Sequence, residues 1–301
     1  MVNIPEELYP GPNDIKFFII VPILAGLTIY LDIVTEGYTN PIIFFISVVI
    51  VPMLFSAIAS GITGKPFLKF FGFRGPVLAN LGLVLIVAGL TTTFYFVLTF
   101  PLAAMFKGTW MYQAIRLFHF PLSELSFRTL AVIPFIYIPI YYFTIGWGEE
   151  YMKWYGQMVI ADHFYTKYRY GKEISIVLGL LLSWVSWVLV HLPANPAIVS
   201  PVGLIFAFFW SSIWMFPFYL FAESLVDPAP GINFRVYSIT GAIAGHMIYD
   251  TLVEASNLGY ITMEQAGLGL ISGVLVFLIG LSILGFEYIR EKLPIFGFIK
   301  I

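Results

Sequence analysis

The stretch TLAVIPFIYIPIYYFTIGWGEEYMKWYGQMVI, residues 129–160, decides the fold. Thr129 to Trp147 is almost entirely apolar, Glu149 and Glu150 then stand side by side, and Tyr151 to Ile160 is again mostly apolar. About 20 apolar residues cross a hydrocarbon layer of roughly 30 Å, so the stretch reads as one long transmembrane helix with two carboxylates inside the membrane. Each carboxylate costs roughly 2.5–3.5 kcal/mol at a helix centre even on lenient scales, which marks the pair as a functional site. The plainer alternative is a pair at a helix end whose side chains reach back to the interface.

The rest of the chain supports a membrane setting. Of 301 residues, 59% are hydrophobic and 11% charged, with a mean hydropathy of +0.91, against about 25% charged in a soluble domain. Backbone groups in lipid must bond internally, and unbroken runs such as Ile42 to Ile58 lack the alternation of barrel strands. The expected fold is all-α: a polytopic integral membrane protein with eight transmembrane helices around an intramembrane polar site. The spans fall at about 16–34, 41–60, 77–105, 129–160, 175–194, 202–222, 236–255 and 267–289. Residues 1–301 read as a single transmembrane domain whose motif-bearing core is about 129–255.

Charge placement orients this layout. Lys16, Lys65, Lys69, Arg74, Lys153, Lys167, Arg169, Lys172, Arg235, Arg290, Lys292 and Lys300 fall on the side of both termini, whereas Lys107, Arg116 and Arg128 fall on the other. That asymmetry predicts cytoplasmic termini. Residues 1–14 carry Glu6, Glu7 and three prolines without the basic start of a cleaved signal, so the first span is expected to remain as an anchor. The connection Lys107 to Arg128 is too polar to span and reads as an interfacial helix anchored in lipid by Trp110. The absence of cysteine excludes disulfides, thiolate catalysis and thiolate metal sites. A net charge of -2 points to neither nucleic acid nor an acidic partner.

Three groups of residues carry the chemistry. Lys153 follows Glu149 by four residues and Glu150 by three, within helical reach of either. His191 ends an apolar run, with Trp187 one turn earlier on the same face; as a lone histidine it also fits a helix cap. His246 and Asp250 stand at i, i+4 on one helix face that must look into the protein, and Gly241 and Gly245 beside them allow close helix packing within the chain. Three chemistries suit these parts. A glutamate activates water while the histidines and Asp250 handle protons and the oxyanion. Alternatively the same groups hold a divalent metal, although HExxH is absent. In the third they form a transporter's proton relay. No GxSxG elbow supports a serine nucleophile.

The order Glu149-Glu150, Trp187-xxx-His191, His246-xxx-Asp250 resembles the CAAX prenyl protease type II family, the Ras-converting enzymes and their bacteriocin-processing and immunity relatives. The resemblance implies a metal-independent, cofactor-free glutamate peptidase that cuts a prenylated or membrane-bound peptide or protein near its C-terminus. It implies that Glu149 activates water with Glu150 as helper, that His191 assists the water or leaving group, and that His246 with Asp250 forms the oxyanion side. Trp187 stands where the family usually has Phe, and Asp250 where its best-known proteases have Asn. The family pattern EExxxR is not met: Trp154 occupies the arginine position and Lys153 stands one residue early. A diverged, non-proteolytic member of immunity or transporter type is one alternative, and a divalent-metal-dependent membrane hydrolase is the other.

Overall fold

The computed structural model describes residues 77–116, 146, 149, 150, 153, 160, 161, 163–165, 167–192, 195–222, 240–257 and 259–292. The first two expected spans, the apolar run before Gly146 and the connection 223–239 lie outside the described residues, as does Trp154.

All regular structure among the described residues is helical. Helix α1 (Val77–Phe94) passes through a π turn (Tyr95–Thr99) into α2 (Phe100–Met105). The π turn has a local cause: Pro101 offers no N–H to the carbonyl four residues back, and the Phe100 N–H bonds instead to the Tyr95 carbonyl, five back. Then come α3 (Trp110–Arg116), α4 (Lys172–His191), a 3-10 turn (Pro196–Val199), α5 (Pro201–Ala222), α6 (Thr240–Asn257) and α7 (Met263–Lys292). Gly146, Glu149, Glu150, Lys153, Ile160, Ala161 and residues 163–165 are also helical.

The helix boundaries follow from their caps. Ser200 accepts the Gly203 N–H and donates to the Ala197 carbonyl, and Pro201 occupies the first position of α5, where a missing N–H costs nothing. α6 stops at Gly259, whose φ of 77° lets the Gly259 and Tyr260 N–H groups bond back to Ser256 and Ala255. α7 starts at Met263, four residues before the expected span, because the Gln265 side chain accepts the Thr262 N–H in one half of a capping box.

Two helices among those described are long and apolar enough to cross a membrane: Val77–Met105, with mean hydropathy 2.2, and Met263–Phe286, with 2.5. They pack antiparallel through paired glycines. Gly82 faces the Gly280 carbonyl, and a Cβ on Gly89 would lie 2.6 Å from the Gly273 carbonyl, so the two backbones nearly touch. α6 packs on the other flank of α1, and its Gly241 and Gly245 are filled by Val87 and Trp214, so this glycine pair serves packing within the chain. α5 closes the bundle with Trp210 and Trp214, both fully buried.

α3 departs from a purely lipid-facing helix. Trp110 is exposed as expected of an anchor, but Ala114 and Ile115 are buried, Ile115 in the main core, where α3 meets α5 and the 3-10 turn. At the opposite end of α4, a turn at residues 167–171 leads into the helix, held by Phe164 stacked on Tyr170 and by the Tyr170 N–H on the Phe164 carbonyl.

Candidate functional site

Glu149, Glu150, His191, His246 and Asp250 meet in one place, together with Lys153 and Trp187. Three elements bring them there. The glutamate-bearing segment can approach α6 because Gly146 has no side chain: a Cβ there would stand 3.3 Å from the His246 Cβ and from backbone atoms of α6. His191 arrives at the end of α4, and its neighbour Trp187 lies over its ring at 4.7 Å.

The two glutamates occupy different surroundings. Glu149 Oε1 lies 3.2 Å from His191 Nε2, and its Oε2 accepts the Trp187 indole N–H at 2.6 Å. The Glu149 and His191 side chains are 17% and 19% exposed. Glu150 is fully buried. Its Oε1 pairs with Lys153 Nζ and with His246 Nδ1, the latter at 2.7 Å. Of the two carboxylates, therefore, only Glu149 has surface that a water molecule can reach.

Hydrogen-bond direction constrains the protons. The Trp187 carbonyl 2.8 Å from His191 Nδ1 can only accept, so Nδ1 carries hydrogen. The contact between His191 Nε2 and Glu149 Oε1 then needs one further proton, held by either partner and free to shift between them. His246 Nδ1 is turned to Glu150, which leaves Nε2 facing Glu149 Oε2 at 3.6 Å and Asp250 Oδ2 at 3.4 Å. Three carboxyl groups thus face one lysine and two imidazoles. Buried charges are tolerable when they are paired with opposite ones.

Lys153 resolves which glutamate it serves. Both lie within helical reach, and it pairs with Glu150. Its ammonium sits between two indoles, 4.7 Å from the Trp187 ring and 4.9 Å from the Trp214 ring. Trp214 also stacks on His246, at 4.5 Å and 18°. Sequence reading passed over Trp214, since α5 is apolar on all sides and no spacing singles it out. Ser183, which donates to the Lys153 carbonyl at 2.6 Å, was likewise silent. No group of three or more His, Asp or Glu side chains arranged to hold a metal ion occurs among the described residues.

The depth of the site follows from α6. His246 precedes Asn257, at the end of the helix, by eleven residues, or about 16 Å at 1.5 Å per residue.

No family model, curated protein or solved structure matches the chain.

Proposed function

We propose that the chain is an intramembrane endopeptidase resembling the CAAX prenyl protease type II family, with Glu149 as the base that activates water. One observation carries this reading: of two adjacent glutamates, Glu150 is sealed, with its Oε1 held by Lys153 and His246, while Glu149 is anchored by Trp187 and His191 and remains accessible. An anchored, reachable carboxylate sharing a proton with an imidazole is what general-base chemistry requires.

In this mechanism Glu149 takes a proton from water as the water oxygen adds to the scissile carbonyl carbon. His246, through Nε2 and backed by Asp250, faces the oxygen on which negative charge develops. The C–N bond then breaks, and the leaving nitrogen receives the proton from the Glu149–His191 pair. Glu150 and Lys153 act at one remove, holding the His246 ring so that Nε2 points at the reacting centre. The substrate is a prenylated or membrane-bound peptide, since a site at this depth is reached from the bilayer or from a mouth beside it.

The multi-pass layout with cytoplasmic termini belongs to the same proposal. In support, α7 turns Leu268, Ile271, Leu275 and Ile279 outward, an apolar face suited to lipid and costly in water. The connections expected on the non-cytoplasmic side also gather at one end: Asn195 donates to the Gln113 carbonyl, and Tyr112 donates to Asn257.

Cleavage of a farnesylated CAAX peptide by the purified protein tests the function, with wild type, Glu149→Ala and His246→Ala each assayed with and without a chelator. The expected result is chelator-resistant cleavage lost in both variants. Cleavage abolished by chelation would replace the glutamate mechanism with a metal-dependent one. A folded wild type that cuts neither prenylated nor unmodified membrane peptides would favour the non-proteolytic reading.

A further inference from the structure

The polar face of α6 does not stop at the site. Asp250 and Glu254 follow His246 at successive i, i+4 steps, and all three are buried. Asn257 then donates to Glu254 Oε2 at 3.1 Å and accepts from the Tyr112 hydroxyl at 3.3 Å, and Tyr112 in turn accepts a hydrogen bond from Arg116. Opposite this stretch α1 opens into its π turn, where Tyr95 reaches the Leu252 carbonyl and the Ser256 hydroxyl. Tyr249 bonds to the carbonyls of Ile115 and Arg116. Polar groups therefore recur at successive turns from Glu149 to the end of the bundle occupied by α3.

Two groups on this line lack the partners their chemistry demands. The Asp250 side chain is 8% exposed and accepts no hydrogen bond from any described residue; its nearest polar neighbour is His246 Nε2 at 3.4 Å. A carboxylate has about four acceptor positions, and no described donor fills them here. At the far end, Arg116 Nε is buried with no partner among the described residues. An acceptor at one end and a donor at the other, joined by polar side chains, are both satisfied by water.

We propose that this face of α6 forms a hydrated track that carries water between the α3 end of the bundle and Glu149. In the proposed layout the α3 end is non-cytoplasmic, so the track supplies the hydrolytic site from the face opposite the basic loops. A hydrolase at mid-membrane depth consumes one water per bond cut, and lipid does not supply it.

The chain contains no cysteine, so single cysteines report water access without turnover. In sealed, oriented vesicles, Asn257→Cys, Glu254→Cys and Asp250→Cys are exposed to a charged, membrane-impermeant methanethiosulfonate from each face. The expected result is modification from the face that labels Lys107→Cys, at rates falling from 257 to 250 and at least about tenfold above Ile248→Cys on the outer side of α6. Modification of 254 and 250 from neither face, or only from the opposite one, overturns the track. Should a variant misfold, hydroxyl-radical footprinting of the unsubstituted protein decides. Tyr249 is expected to be oxidised while Leu83 and Ile86, similarly buried in the α1–α7 seam, are not; an unmodified Tyr249 overturns the proposal. Neither readout depends on peptidase activity, so loss of the track and loss of the peptidase reading are separately visible.

Discussion

Two neighbouring carboxylates with different partners call for two different phenotypes. Glu149→Gln removes the base and is expected to lower cleavage by 10²-fold or more, the usual order for a general base, with little change in thermal unfolding in detergent. Glu150 is a positioning residue: Glu150→Gln is expected to lower kcat less, and its pH–rate profile is expected to shift because the His246 ring loses its carboxyl partner. Lys153→Met leaves a buried Glu150 without its cation and is expected to cost about 3–5 kcal/mol, whereas adding Glu150→Gln to that variant recovers part of the loss. Equal and additive losses in the two single variants and the double would show that the pair is not coupled. Helical spacing put Lys153 within reach of both glutamates; the choice between them came from the burial of Glu150 between α6 and the indoles, which spacing does not encode. Trp214 was unreadable for a related reason, since an aromatic in a uniformly apolar helix looks the same whether it meets lipid or a histidine.

The α1–α7 seam rests on the close approach of two backbones at paired glycines. Gly89→Leu puts a side chain where the Gly273 carbonyl and the Phe277 backbone already stand, and a loss of more than about 2 kcal/mol is expected. Gly267→Leu, where a Cβ meets nothing within 4 Å, serves as the neutral control; comparable destabilisation by the two would refute the seam. Helix positions were legible from run length alone, and α1, α4, α5, α6 and α7 lie on expected segments. The pairing of α1 with α7 uses a seven-residue glycine spacing on each helix, Gly82 with Gly89 and Gly273 with Gly280, that became meaningful only once the two helices were seen together. Glycine spacing marks where a backbone can come close, while its partner is set by the rest of the bundle.

At the scale of the molecule, the proposed layout predicts that cysteines at Lys107 and Tyr260 are modified from one face of the membrane and a cysteine at Lys167 from the other. Modification of all three from the same face would remove the multi-pass arrangement as drawn. Composition and the length of apolar runs were sufficient for the helical class, because a backbone in an apolar surrounding has few ways to bond itself. The identity of the polar residues was likewise plain from the chain, since each stands out against an apolar background. Convergence was not. Glu149 lies 42 residues before His191, and Glu150 lies 96 before His246. Such distances close only when Gly146, the end of α4 and the glycine face of α6 let three helices meet. Tertiary packing alone decided which carboxylate is sealed and which is reachable, because burial is a property of neighbours and not of position along a helix.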